Sequence, residues 1–168
     1  MRLLGLDPGL RNTGWGVIDA VGNRLCWIAD GVVQSNEDCP LAARLAQLHR
    51  GVLAVIEHYG PAEAAVEETF VNQNPASTLK LGQARGAVLL AAGLADLVVA
   101  EYAPRLIKQS VVGSGRASKE QVAMMVRRLL PGCTVSRADA ADALAAAICH
   151  AHQRGTAQRL KAAVEAGR

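Results

Sequence analysis

The sequence predicts an α/β domain: a mixed five-stranded sheet flanked by helices. Three observations carry that expectation. Residues 2–7, 14–21 and 24–33 read as strands, and the last two are joined by Gly22-Asn23, a two-residue hairpin turn. Two further short apolar runs, 62–67 and 97–102, are separated by helical stretches, which is how parallel strands are connected. Alanine supplies 31 of the 168 residues and only five are aromatic, a composition suited to closely packed helices.

Each element follows from local chemistry. Asp7-Pro8-Gly9 is a turn signal that ends the first strand. Asp38 is a candidate cap for the first helix, and Pro40 suits its first turn. Leu41, Leu45, Leu48, Val52 and Ile56 then repeat at helical spacing, until Gly60-Pro61 stops the run. Residues 71–76 read as a polar loop and 77–94 as a second helix. Pro104 opens a short helix that ends at Gly113-Ser114-Gly115. Ser118 caps a helix reaching residue 130, Pro131-Gly132 breaks it, and a last helix runs from about Ala138 to His152. The expected organisation is one domain over residues 1–152 and a basic, flexible tail over 153–168.

Composition excludes several classes. Hydrophobic residues at 51% and a net charge of +3 argue against disorder. Asp7 comes too early for a signal peptide, and the apolar stretch 86–100 contains Asp96 and is too short to span a membrane. Cys26, Cys39, Cys133 and Cys149 show no CxxC spacing, so free thiols in the cytoplasm are expected. Cys149, His150 and His152 end an apolar helix and match no zinc motif.

Four acids stand out. Asp7 ends the first strand and Glu67 the fourth. Asp139 and Asp142 lie three apart on one face of an alanine-rich helix. First and fourth strands can be neighbours in a mixed sheet, with the helix crossing their ends. Carboxylates forced together repel, and a hard cation is their usual compensation. Each acid also has a plainer reading: Asp7 as a turn cap, Glu67 as a solvated strand end, Asp139 and Asp142 as partners of the helix dipole.

At this point the chain resembles a known family. Leu4-Gly5-Leu6-Asp7-Pro8-Gly9, Thr13-Gly14-Trp15-Gly16, Val66-Glu67-Glu68-Thr69-Phe70, Leu81-Gly82-Gln83-Ala84-Arg85-Gly86, Lys108-Gln109-Ser110-Val111-Val112-Gly113 and Ala138-Asp139-Ala140-Ala141-Asp142-Ala143-Leu144-Ala145 are similar, in order, to blocks of the RuvC family of bacterial Holliday-junction resolvases. The resemblance implies a ribonuclease-H-like fold and a homodimer that nicks opposing strands of a four-way junction. It also implies Mg²⁺ dependence, with two ions per site and Mn²⁺ as a possible substitute. Asp7, Glu67, Asp139 and Asp142 carry over as catalytic, metal-holding acids. Glu68 stands where the family has Gln. Partnership with the RuvA–RuvB branch-migration complex is implied by the same resemblance.

The remaining candidates concern DNA. Between Arg105 and Arg137 there are seven basic residues against one acid, Glu120. Lys108 and Lys119 are the expected phosphate contacts, and the bland reading of this stretch is a solvated helix face. Phe70 is either a core residue or a ring that stacks on an unpaired base. Gly82, Gly86, Ala87, Ala91 and Gly93 make the second helix small-sided, for packing on its own sheet or against a second copy. A junction binder without catalysis, a related RNA-processing nuclease and a sugar-kinase-like ATPase are the rival classes. For the last, 168 residues are too few.

Overall fold

The structure, a computed structural model, describes residues 1–68, 74–135 and 137–166. Its elements in chain order are β1 (Arg2–Asp7), β2 (Asn12–Val21), β3 (Arg24–Gln34), α1 (Leu41–Tyr59), β4 (Glu63–Glu67), α2 (Pro75–Leu94), β5 (Val98–Tyr102), α3 (Pro104–Val112), α4 (Lys119–Leu129) and α5 (Ala138–Ala166). The sheet order is β3-β2-β1-β4-β5. The first three strands form an antiparallel meander, while β4 runs parallel to both β1 and β5. The expected mixed sheet is therefore present, with the first and fourth strands side by side.

Successive side chains of a strand point to opposite faces. Leu3 and Ala65 pack on one face with α5, α3 and α4. Leu4, Leu6, Ala64 and Val66 pack on the other, with α1 and α2. The sheet is thus a middle layer between two apolar cores. That arrangement explains why β1 and β4 read as nearly continuous apolar runs.

Three local expectations are corrected. Asp38 does not cap α1: Pro40 holds the N-cap position, with no side-chain hydrogen bond. Proline has no side-chain acceptor to offer the free N–H groups of the first turn, and its ψ of 150° places it outside the helix. The second helix starts two residues early, because the Asn74 side chain accepts from the backbone N–H groups of Ala76 and Ser77 and Pro75 occupies the first helical position. The last helix does not stop at His152 but continues to Ala166. Ser118 behaves as expected, forming a reciprocal capping box with Gln121.

Candidate active site

Alternation along two parallel strands builds the site. Asp7 follows Leu3 and Gly5 on the α5 face of β1, and Glu67 follows Glu63 and Ala65 on the same face of β4. Leu6 is paired with Val66, so the next residues, Asp7 and Glu67, end neighbouring strands on the same side. The start of α5 lies across those ends, bringing Asp139 and Asp142.

Glycine permits that close seating. A β-carbon on Gly14 would stand 2.0 Å from the carbonyl oxygen of Asp139, and one on Gly5 would stand 1.9 Å from that of Ala143. Neither separation is physically possible, so α5 rests on β1 and β2 only because both positions lack side chains. The turn after Asp7 is held as well. Thr13, fully buried, donates from Oγ1 to the carbonyl of Gly9 at 2.9 Å. Ser35 and Arg44 both donate to the carbonyl of Leu10.

The acids sense one another. Asp7 is pushed up to about 7, first by burial, then by the charges of Glu67, Asp142 and Asp139, with Lys119 opposing. Glu67 is raised in the same way, by burial and then by Asp142, while Lys119 and Lys108 pull it down. Lys119 is raised by its hydrogen bond and ion pair with Asp142, at 3.1 Å. The structure therefore brings six of the seven predicted site residues to one place: Asp7, Glu67, Asp139 and Asp142, with Lys108 and Lys119 at the border. Lys119 lies against a carboxylate rather than standing free. Phe70 lies outside the described residues. Among the described residues, no three His, Cys, Asp or Glu side chains stand close enough together to grip an ion as they are. One of the four carboxylates, Asp142, is ion-paired with Lys119. An all-oxygen, partly buried and mutually repelling donor set is still the chemistry that fits a hard divalent cation.

A second polar cluster went unread in the sequence. Behind the site, on the same face of β4, Glu63 Oε2 lies 2.8 Å from His150 Nε2, and Arg154 reaches Glu63 Oε1 at 3.1 Å. A carboxylate only accepts, so Nε2 carries a proton, and Nδ1 is hydrogen-bonded with the Tyr102 hydroxyl at 2.7 Å. His152 pairs with Ser110 instead of joining His150. His150 and Arg154 lie 87 and 91 residues from Glu63, and no local pattern in the sequence links them.

The fold and this carboxylate cluster define a ribonuclease-H-like nuclease. The family model for crossover junction endodeoxyribonuclease RuvC matches residues 3–150. The chain belongs to the RuvC family, whose members depend on divalent metal. It is 68% identical over 164 residues to the crossover junction endodeoxyribonuclease RuvC of Paramagnetospirillum magneticum, covering 98% of this chain and 99% of that one. It is 67% identical over 167 residues to the RuvC of Rhodospirillum rubrum, covering 99% of each. Among solved structures, RuvC of T. thermophilus in complex with a Holliday junction substrate matches with a TM-score of 0.86 and 36% identity, over 94% of this chain and 96% of that one.

Proposed function

We propose that this chain resolves four-way DNA junctions by hydrolysing a phosphodiester in each of two opposing strands. The observation that carries the reading is the convergence of Asp7, Glu67, Asp139 and Asp142 over the ends of β1 and β4, with Asp7 raised to about 7. Asp7, Glu67, Asp139 and Asp142 would hold the metal, two Mg²⁺ ions per site, with Mn²⁺ as a substitute. Bound there, divalent ions supply water activation and neutralise charge that builds on the phosphate.

The chain's own groups do the rest. Asp7, which keeps its proton up to about 7, would hold a cation only as the carboxylate. Lys119, exposed and ion-paired with Asp142, would offer its ammonium to a phosphate oxygen. Lys108, half-buried beside Glu67, offers a second positive charge. Phe70 is proposed to stack on a base at the junction centre.

Two-fold cutting needs two sites, and we propose a homodimer. In support, α1 and α2 border an open apolar groove of about 650 Å³ lined by Leu45, Ala87, Leu90 and Leu94. Gly82, Gly86 and Gly93 of α2 have open space where a side chain would be. The RuvA–RuvB complex is the proposed partner on family grounds.

The test is cleavage of a synthetic four-way junction against linear duplex, with and without Mg²⁺. Selective, Mg²⁺-dependent paired nicking is expected from the wild type and none from Asp7→Asn. Wild-type rates in that variant, or equal cutting of linear duplex, would sink the reading.

A further inference from the structure

Beside the acid cluster runs a groove of about 230 Å³ lined by Lys119, Glu120, Ala123, Arg127, Val135, Arg137, Ala138 and Ala141. Lys119, Ala123 and Arg127 are spaced four apart, so they form one stripe along α4. Arg137 and Ala138 lead into the first turn of α5, and Ala141 directly precedes Asp142. The volume is below the roughly 300–1,000 Å³ of sites that enclose a drug-sized ligand. It suits instead one unit of an extended chain lying in the groove.

The charge is equally specific. Arg127 and Arg137 are exposed, and among the described residues neither is in an ion pair. The one acid in the groove, Glu120, is held below the usual carboxylate range chiefly by a hydrogen bond with Ser118 at the start of α4. Among the described residues it is in no ion pair with either arginine. Lys119, at the mouth, is paired with Asp142 and so joins the groove to the acids.

Resting on the nuclease reading above, we propose that Arg127 and Arg137 clamp a backbone phosphate of the DNA strand next to the one hydrolysed. Guanidinium groups without carboxylate partners suit the planar, two-point recognition of a phosphate. The groove's continuity with Asp142 makes the occupant the strand entering the site. The contact carries no base information: it fixes where along the strand the cut falls.

The experiment compares the Arg127→Ala/Arg137→Ala double variant with its parent, both carrying Asp7→Asn so that the DNA is not consumed. Binding to a fluorescent four-way junction is followed across a range of KCl. The expected result is weaker binding and a plot of log affinity against log salt shallower by about 1, for the one phosphate that the pair no longer neutralises. An unchanged affinity and slope would overturn the clamp, as expected of a groove that docks an acidic protein instead. Weaker binding with an unchanged slope also overturns it. Both residues are surface-exposed, and an unaltered melting temperature confirms that the variant is folded. Failure of the nuclease reading registers separately, as absent cleavage by the wild type. The slope difference can be read on any DNA the protein binds.

Discussion

Glu63 and Glu67 sit four residues apart on the same face of one five-residue strand, and both look up at α5. Their surroundings are opposite. Glu63 meets His150 and Arg154, so its charge is answered and its lone pairs are filled. Glu67 meets Asp7 and Asp142, so burial and like charge both act against its ionised form. One helix supplies both environments, a histidine and an arginine from its middle and acids from its start. Frustration confined to one end of a strand, and compensated about 13 Å behind it, marks where the molecule trades stability for chemistry.

The comparison breaks most sharply at Asp7. Asp7→Asn is expected to lower junction cleavage by on the order of 10³-fold or more, beyond the 10–100-fold typical of losing an outer partner of a metal site. The same variant is expected to melt higher than wild type in the absence of metal, since one repelling charge is gone. A lower metal-free melting temperature would show that the acids are not in conflict.

Glu63→Ala should do the reverse. It leaves His150, which is 6% exposed, and the partly exposed Arg154 without their acceptor. A loss of about 2–3 kcal/mol is expected in denaturant unfolding, discounted from the cost of breaking a fully buried pair because Arg154 reaches solvent. Cleavage per folded molecule should change far less than in Asp7→Asn.

Acidity sharpens the contrast. The folded state keeps the Asp7 proton up to about 7, whereas an unfolded chain releases it near the ordinary 3.8. Between those values the folded state binds more protons, so the metal-free protein loses stability as pH rises through that window. From pH 5 to 7 the Asp7 contribution is on the order of 2 kcal/mol. Melting curves in chelator at the two pH values should show the decline, and Asp7→Asn or added Mg²⁺ should flatten it. The smallest expected effect belongs to Tyr102→Phe, which removes one hydrogen bond to His150 and should cost roughly 0.5–1.5 kcal/mol with cleavage intact.

The architecture and the acids were legible because they follow local rules. Short apolar runs bounded by turn signals set the strands, and Asp7 and Glu67 each close such a run. Asp139 and Asp142 interrupt an alanine stretch at helical spacing. What stayed hidden depends on pairing across the chain. Nothing local separates Glu63 from an ordinary strand-leading acid, and its partner Arg154 falls in a segment expected to be a loose tail. Asp38 and Pro40 show a different gap: both suit a helix start, and sequence alone did not reveal that the cap position falls on the proline, two residues beyond the aspartate. Lys119 was read as a phosphate contact, yet its ion pair with Asp142 depends on how α4 docks on α5, which the chain pattern does not specify.

The seat of α5 on Gly5 and Gly14 has a consequence for anyone wishing to toughen this protein. Replacing glycine with alanine is a routine way to stiffen a chain, worth about 0.4–1 kcal/mol where the backbone allows it. At these two positions the added methyl would prise the helix off the strands and carry Asp139 and Asp142 away with it. The simplest side chains in the molecule are therefore among those it can least afford to elaborate.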